Sequence, residues 1–212
     1  MDIALIGAGN VGRALATSMT RAGHAVRISS ADPEHAAALA DEVGATATKS
    51  NTEAIEGAEA VVLAVPYEAV DDVTAEAGEA LAGKIVVDVT NRMDPNDPGA
   101  TLDGTSAAEQ IQGKVSGARV LKAFNTVLAS NQADPQLDGI QLDGFVAGDD
   151  DEAKRAILEV VSSIGLRPID AGPLSMARAL EAMALLNISM NARNGWSWQS
   201  GWKLLGPSEA SV

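Results

Sequence analysis

The sequence predicts an α/β fold whose core is a parallel sheet with helices on both faces. Strand and helix signals alternate along the first 125 residues, the pattern of a chain that passes through a helix after each strand. A short apolar run also leads directly into a glycine-rich turn at residue 7. These two observations favour a Rossmann-type, doubly wound parallel sheet. An apolar stretch near the end of the chain adds a short C-terminal helical segment.

The glycine turn has the spacing of a dinucleotide-binding fingerprint. The apolar run 3–6 is followed by Gly7, Gly9 and Gly12, then by a helical pattern and a second strand-like run at 25–29. Gly7 permits the tight turn, Gly9 lets the backbone approach a pyrophosphate, and Gly12 lets the helix pack closely on the strand. The N-terminus of the helix then offers free N–H groups to the phosphates. We therefore predict a nicotinamide dinucleotide site at this turn.

Further strands and helices continue the alternation up to residue 125. The strands are continuous apolar runs, as expected of buried parallel strands, and the helices between them are longer and richer in alanine and polar residues. The predicted elements are a helix at 33–43, a strand at 58–65, a helix at 67–81, a strand at 84–89, a loop at 92–104, a helix at 106–112 and a strand at 119–124. They extend the parallel sheet that begins with the fingerprint unit.

A second strand–helix–strand unit follows later in the chain. Residues 144–148 predict a strand, residues 150–164 a helix and residues 167–170 a last short strand. Because this is the same order of elements as before, we expect the unit to extend the existing sheet and not to begin a new fold. The dinucleotide-binding domain is accordingly assigned to residues 1–172.

The remaining residues, 173–212, form the predicted helical segment. Residues 175–190 are almost all helix formers and strongly apolar. A helix that is apolar on most faces must be buried. The short tail after Gly195 is too small to cover it, so we predict that this helix packs against a second subunit and forms a dimer interface.

The composition excludes several classes of function. The 212-residue chain is 46% hydrophobic, has no cysteine, and carries a net charge of −14 from 29 acidic and 15 basic residues. Without cysteine there is no thiolate catalysis and no thiolate metal site, and two isolated histidines do not predict a metal site either. The acidic balance disfavours nucleic acid and anionic membranes as partners. No apolar run reaches the roughly 18 residues of a membrane span, so we expect a soluble cytoplasmic protein.

Small and neutral polar residues occupy the carboxyl ends of the predicted strands, where an open parallel sheet binds its ligands. These positions are Gly7 to Val11, Ser29 and Ser30, Ala64 to Pro66, Thr90 and Asn91, and Asn125 and Thr126. The two asparagines are also suited to the turns that end strands. Because they lie at neighbouring strand ends, we predict that they bind the ribose and carboxamide of the nicotinamide.

The end of the second strand favours NADP over NAD. An NAD site usually has an acidic residue there to bind the ribose hydroxyls, whereas this chain has Ser29 and Ser30. A serine can donate a hydrogen bond to a 2′-phosphate, and His35 can add positive charge from the next helix. Asp32 and the absence of an arginine after the serines act in the opposite direction. We predict NADP, with His35 either at the phosphate or simply solvated.

Few side chains are placed to act as an acid or a base. Lys122 lies within a strand, where a structural and a functional role fit its position equally well. Arg178 and Glu181 lie one turn apart on the C-terminal helix, so an intrahelical ion pair is expected. Dehydrogenation of an alcohol needs a proton acceptor, whereas hydride exchange between two cofactors needs mainly the alignment of their rings. We therefore predict no catalytic side chain and no metal ligand.

Several segments together resemble the F420-dependent NADP oxidoreductases. They are the fingerprint GAGNVGRALA, the strand end LAVPYEA, the segment from VAGDDDEAKR to DAGPLSMARALEAMALL, and the closing aromatic-KLL tail. The resemblance covers nearly the whole chain, and related proteins include the cytoplasmic domains of membrane metalloreductases. It implies hydride exchange between NADP(H) and the deazaflavin coenzyme F420.

The resemblance also implies site residues and an assembly. The implied nucleotide contacts are Asn10, Val11, Ser30, Ala31, His35 and Val65, and the implied deazaflavin contacts are Val127 and Leu204, near Asn125. The segment from residue 173 onward is then part of the acceptor cleft as well as of a homodimer interface. The family commonly has an arginine where this chain has Ala31.

Two other functions fit the same nucleotide-binding half. The first is an NAD(P)H-dependent reductase of a flavin, a quinone or a ferric chelate, which a broad range of acceptors would favour. The second is a non-catalytic dimer that binds the dinucleotide and senses redox state, which tight binding without turnover would favour. Neither alternative changes the predicted fold or the predicted glycine turn.

Overall fold

A computed structural model describes residues 1–93 and 104–206 of the chain. Within them, eight strands form one sheet in the order β3-β2-β1-β4-β5-β6-β9-β10, and two more form a separate hairpin. The strands are β1 (Asp2–Ile6), β2 (Ala25–Ser29), β3 (Thr46–Ala47), β4 (Ala60–Leu63), β5 (Ile85–Asp88), β6 (Arg119–Ala123), β7 (Gln136–Leu137), β8 (Ile140–Gln141), β9 (Asp143–Gly148) and β10 (Arg167–Gly172). The first six have the strand order of a dinucleotide-binding fold, which confirms the predicted Rossmann-type sheet.

Helices cover both faces of the sheet. They are α1 (Asn10–Arg21), α2 (Pro33–Val43), α3 (Asn51–Ile55), α4 (Val70–Ala77), α5 (Ala107–Lys114), α6 (Ala129–Gln132), α7 (Asp151–Ser163) and α8 (Ala177–Asn194). Successive residues of β1 belong to separate apolar cores: Leu5 to the core that includes residues of α1, α2 and α7, and Ile6 to the core that includes residues of α3, α4 and α5. The sheet is doubly wound because successive side chains of a strand point to opposite faces.

One strand pairing differs from the predicted parallel sheet. Strand β9 runs antiparallel to β6, with Leu121 opposite Gly148 and Ala123 opposite Val146. The chain between them contains only the four-residue α6 and the β7–β8 hairpin. A parallel pairing needs a crossover of a dozen or more residues that returns the chain to the far edge of the sheet. Here β9 starts instead where β6 ends, so the starts of β9 and β10 join the ligand-binding edge.

Several short elements were not predicted. They are β3, α3, α6 and the β7–β8 hairpin, whose helices and strands have five residues or fewer each, too short to show a hydrophobic period. Two had local signals: Asp138 and Gly139 both have positive φ, as an Asp-Gly hairpin turn requires, and the Ser50 side chain accepts a hydrogen bond from the Glu53 N–H at the start of α3.

The predicted helix at 67–81 is shorter than expected. Its middle forms α4, and a 3₁₀ turn lies on each side. Gly78 ends α4 with a φ of +50°, a conformation that glycine adopts easily. Most of the predicted loop at 92–104 lies outside the described residues, as do residues 207–212 of the predicted helical segment.

The C-terminal helix α8 is longer than predicted and ends at Asn194, with Gly195 as its C-cap. Its buried stripe combines small, apolar and amide side chains at helical spacing: Ala177, Leu180, Glu181, Ala184, Asn187 and Asn191. Several large apolar side chains lie outside this stripe, and Leu186 is 52% exposed. Within the described residues, no helix combines the length and the hydropathy that a membrane span requires.

Candidate functional site

The turn after β1 is closely packed against β4. Gly7 has a φ of +116°, and a Cβ there would overlap the carbonyl oxygen of Ala64 and lie 2.7 Å from its carbonyl carbon. Gly12 is equally restricted, since its Cβ would lie 2.9 Å from the carbonyl carbon of Gly7. The Gly7 N–H donates to the Ser29 carbonyl oxygen at 2.8 Å, which ties the turn to β2. Both glycines are therefore required by the fold itself.

Gly9 is different, because its α-carbon faces open space. A Cβ at Gly9 would meet no atom within 4 Å. Gly9 is the N-cap of α1, no side chain caps this helix, and its first turn has no acidic residue. The first N–H groups of α1 are thus available, and the positive end of the helix dipole is not neutralised. A helix N-terminus of this kind is suited to bind an anion such as a dinucleotide pyrophosphate.

A cavity of about 460 Å³ opens beside the glycine turn. It lies where β1 separates β2 from β4, the point at which the strand order reverses and at which such sheets bind nucleotides. Six of the predicted site residues line it: Gly7, Gly9, Ser30, Ala31, Val65 and Pro66. The predicted contacts Asn10, Val11 and Gly12 form the first turn of α1, next to this cavity wall.

The start of α2 is organised by Asp32. Its carboxylate accepts hydrogen bonds from the N–H groups of Glu34 at 3.0 Å and His35 at 3.4 Å, so it serves as the N-cap. The His35 side chain is 77% exposed, and its Nδ1 lies 3.7 Å from an Asp32 carboxylate oxygen. Ser30 Oγ accepts a hydrogen bond from the Asp32 N–H at 3.3 Å. The Ser30 hydroxyl hydrogen remains available to a ligand.

The two asparagines at the strand ends contact each other. The Asn125 side-chain amide donates to Asn91 Oδ1 at 2.9 Å and to the Leu180 carbonyl oxygen at 3.0 Å. Both of its N–H groups are then used, and its buried Oδ1 has no partner within the described residues. The hydroxyls of Thr90 and Thr126 are also buried without a partner there. The carboxyl ends of β5 and β6 thus present unsatisfied polar groups, which are costly to bury unless a ligand binds them.

Phe124 gives Asn125 its position. It has a φ of +63°, which is rare for an aromatic residue, and its carbonyl oxygen accepts a hydrogen bond from the Gln132 amide at 2.8 Å. Strained backbone conformations of this kind are concentrated at functional sites. No sequence signal indicates the strain, because the residue is an ordinary apolar side chain that ends a strand.

Lys122 occupies the centre of a buried ionic cluster. Its Nζ lies 2.8 Å from Asp88 Oδ2 and 2.8 Å from Glu181 Oε1, and it also donates to the Thr90 carbonyl oxygen. Glu181 Oε1 additionally accepts from the Ala107 N–H at 2.8 Å. Burial raises the pKa of Glu181, although Lys122 acts to lower it. Lys122 therefore links β5, β6 and α8 beneath the two asparagines.

The predicted ion pair between Arg178 and Glu181 is wrong. Glu181 faces inward to Lys122, whereas Arg178 makes two hydrogen bonds to Glu109 on α5, at 2.7 and 2.8 Å. The Arg178 guanidinium lowers the pKa of Glu109 to about 2. The two residues diverge because Glu181 belongs to the buried stripe of α8 and Arg178 to its exposed side. Each finds a partner on another element.

The tail after α8 returns to the ligand-binding edge of the sheet. The Leu204 N–H donates to Asp143 at 2.6 Å, and Arg167 makes two hydrogen bonds to the same carboxylate, at 2.6 and 2.7 Å. Burial of Asp143 would raise its pKa, but these donors outweigh it and hold the pKa below its usual value. The Leu204 side chain is half exposed, and Val127 is buried in the core after β6. The two predicted deazaflavin contacts are thus on the same edge as Asn125.

The fold and the site together define a dinucleotide-binding protein of the Rossmann type. The family model for coenzyme F420-dependent NADP oxidoreductases matches residues 2–92. The F420-dependent NADP reductase of Methanothermobacter marburgensis is 34% identical, with 92% of this chain and 94% of that protein covered. The chain belongs to the family of F420-dependent NADP reductases, as its sequence motifs predicted.

A solved structure supports the same assignment. A protein from Arthrobacter sp. FB24, assigned as an F420-dependent NADP reductase, superposes with a TM-score of 0.86 and 30% identity, and the match covers 97% of this chain and all of that one. Metalloreductase STEAP3 of Rattus norvegicus is 32% identical, but this chain spans only 36% of its length. The similarity to the metalloreductase is therefore confined to one part of that protein.

Proposed function

We propose that this protein transfers a hydride between NADP(H) and the deazaflavin coenzyme F420. The observation that carries the proposal is an uncapped helix N-terminus behind an obligatory glycine turn, in a chain that matches the F420-dependent NADP reductase of M. marburgensis over nearly its full length. The turn supplies the phosphate site, and the family supplies the identity of the hydride acceptor. The proposed enzyme is an NADPH-dependent F420 reductase.

The dinucleotide is held along the carboxyl ends of the strands. Its pyrophosphate lies at the N–H groups of Gly9, Asn10 and Val11, where no carboxylate competes. The adenosine ribose lies toward Ser30 and Ala31, and its 2′-phosphate accepts a hydrogen bond from the Ser30 hydroxyl. In this arrangement His35 stays with Asp32 and contributes at most a long-range charge.

The asparagine pair is matched to a primary carboxamide. Asn125 leaves an acceptor, Oδ1, while Asn91 accepts from Asn125 and keeps its own amide N–H groups as donors. A nicotinamide carboxamide has one acceptor and one NH₂ group, so both of its halves can be bonded. Val65 and Pro66 form the apolar wall on the other side of the turn. These contacts position the nicotinamide ring without any titrating group.

The acceptor lies at the edge formed by the C-terminal segment. In the overall reaction, C5 of the deazaflavin accepts the hydride that leaves C4 of the nicotinamide. The protein needs to bring these atoms to about 3–3.5 Å from each other and to exclude water. Val127, Leu204 and the segment from residue 173 onward are proposed to form the apolar side of this cleft. No side chain needs to act as an acid or base in the hydride step.

We propose that the protein works as a cytoplasmic homodimer. The support for a dimer is a set of large apolar side chains left exposed on or next to α8: Met176, Leu186, Trp196, Trp198, Leu204 and Leu205. Several large apolar side chains exposed on one helix and on the segments that flank it favour an interface. The cytoplasmic location accords with a substrate, NADP(H), that is used as a freely diffusing carrier.

The first experiment mixes the protein with NADPH and oxidised F420 and follows the loss of the visible absorbance of the deazaflavin. Parallel samples replace NADPH by NADH, or F420 by FMN or a ferric chelate. Rapid bleaching of F420 with NADPH, and slow or no turnover of the other acceptors, is the expected result. Turnover of FMN or ferric chelate without bleaching of F420 would overturn the proposal and favour a general reductase.

A further inference from the structure

Lys49 lines the same cavity as Ser30, which follows the second strand. Strand β3 pairs with β2 in parallel, with Arg27 opposite Thr46 and Ile28 opposite Ala47. The chain continues alongside β2 beyond this pairing, because the Thr48 N–H donates to the Ile28 carbonyl oxygen at 2.9 Å. Lys49 follows directly after Thr48. Lys49 and Ser30 both line the cavity beside the glycine turn.

The side chain of Lys49 is unusual among the lysines of this protein. Each of the other five has its ammonium group in a hydrogen bond or ion pair: Lys84, Lys114, Lys122, Lys154 and Lys203. The Lys49 ammonium has no such partner within residues 1–93 and 104–206, and it is exposed. Its backbone is nevertheless anchored, since the Lys49 N–H donates to Glu53 at 2.7 Å. An unpaired cation beside a cavity is available to an anionic ligand.

The other charges around the cavity are negative. Of the lining residues, Lys49 is basic, whereas Asp72 and Glu76 are acidic. Glu76 accepts a hydrogen bond from the Asn51 amide at 2.7 Å, so its partner is a neutral donor and not a cation. Asp32, next to the same strand end, also repels a phosphate. Ser30 alone provides a hydrogen bond but no charge to oppose these carboxylates.

We propose that Lys49 selects NADP over NAD by pairing its ammonium with the 2′-phosphate of the adenosine ribose. The inference rests on the proposed placement of the dinucleotide at Ser30. The doubly charged phosphate then receives a hydrogen bond from Ser30 and a charge-assisted bond from Lys49, which lines the same cavity. NAD has no phosphate there, and its ribose hydroxyls gain little from a cation. Position 49, outside the fingerprint, thus determines the choice of dinucleotide.

The test compares Lys49→Ala with Arg155→Ala, which removes an equal charge from the exposed side of α7, away from the cavity. Dissociation constants for NADPH and NADH are measured by fluorescence titration, and adenosine 2′,5′-bisphosphate is the fragment probe. Lys49→Ala is expected to weaken NADPH and the bisphosphate about tenfold and to leave NADH unchanged, whereas Arg155→Ala leaves all three unchanged. Lys49→Arg keeps most of the preference for NADPH.

Two further measurements, of melting temperature and of salt dependence, separate loss of binding from other effects of the substitution. Lys49 is exposed and unpaired, so Lys49→Ala should melt at the same temperature as the wild type, and misfolding is separated from loss of binding. The preference of the wild type for NADPH should also fall with added salt, and that of Lys49→Ala should not. An unchanged ratio of NADPH to NADH affinity in Lys49→Ala would overturn the inference. Failure of the wild type to bind NADPH or to reduce F420 would instead overturn the proposed function.

Discussion

The Nζ atom of Lys122 lies 2.8 Å from Oε1 of Glu181, and both side chains are buried although 59 residues separate them in the chain. This contact joins the end of strand β6 to helix α8. The neighbouring residue Leu180 accepts the hydrogen bond of Asn125. The ionic cluster therefore fixes the position of α8, and with it the Leu180 carbonyl oxygen that orients Asn125, the proposed nicotinamide contact. Lys122 and Glu181 therefore affect the site by positioning α8 and Asn125, and neither touches the reacting atoms.

Removal of Lys122 should be more damaging than removal of the charge on Glu181. Lys122→Met leaves Asp88 and Glu181 buried without a cation, and we expect a loss of roughly 3–5 kcal/mol in the free energy of unfolding. Glu181→Gln leaves Lys122 paired with Asp88 and should cost about 1–2 kcal/mol. Urea denaturation of both variants measures the difference. Equal losses of unfolding free energy in the two variants would show that Lys122 does not neutralise the buried carboxylates.

Within the glycine turn, we expect Gly7 to be needed for folding and Gly9 to be needed for binding. Gly7→Ala places a methyl group against the Ala64 backbone at a φ of +116°, so we expect it to destabilise the fold by at least about 2 kcal/mol. Gly9→Ala meets no protein atom and should cost less than about 1 kcal/mol, the usual difference at an N-cap. Its methyl group nevertheless occupies the approach of the pyrophosphate. NADPH affinity should fall tenfold or more in Gly9→Ala, and a folded Gly9→Ala that binds NADPH normally would contradict the assigned phosphate site.

The Arg178–Glu109 ion pair should make stability depend on acid pH. The folded state lowers the pKa of Glu109 from its usual value near 4.5 to about 2, so the ionised carboxylate stabilises the fold above about pH 4.5. That contribution is lost as the pH falls toward 2. Glu109→Gln keeps the helix cap but not the charge, and should cost about 1 kcal/mol at pH 7 because Arg178 is half exposed. Unfolding curves of both proteins should converge near pH 2, and a constant difference at all pH values would contradict the ion-pair assignment.

Asn125→Ala tests the proposed carboxamide site. It removes the unpartnered acceptor Oδ1 and releases Asn91 from its hydrogen bond. We expect kcat with NADPH and F420 to fall about tenfold, since the nicotinamide ring is no longer held at the hydride-transfer distance. Asn194→Ala, on an exposed turn of α8, is the matched control. A normal kcat in Asn125→Ala would show that the asparagine pair does not hold the nicotinamide.

Leu186→Asp tests the proposed dimer. Leu186 is 52% exposed on α8, so a charge there is tolerated in a monomer but not in an apolar interface. Sedimentation should give twice the 21.7 kDa chain mass for the wild type and one chain mass for the variant. Ile140→Asp adds the same charge on the exposed β7–β8 hairpin and should remain dimeric. A monomeric wild type would contradict the proposal directly.

Local signals predicted the nucleotide half well. The glycine spacing, the apolar strand runs and the polar residues at their ends are properties of short stretches, and the structure brings Asn91 and Asn125 into contact as their shared edge required. Partners of charged side chains were not predictable in this way. Arg178 and Glu181 lie one turn apart on one helix, yet they bond to residues 69 and 59 positions away, because Glu181 is buried and Arg178 is exposed.

The sequence by itself determined the class of fold, the glycine turn and the identity of the family, because each depends on residue types at fixed short spacings. Only the tertiary structure decided the antiparallel course of β9, the strained Phe124, the Lys122 cluster and the cavity that Lys49 shares with Ser30. These features depend on which distant segments become neighbours. Burial and strand pairing decide which segments become neighbours, and no pattern of nearby residues in the sequence reveals this pairing.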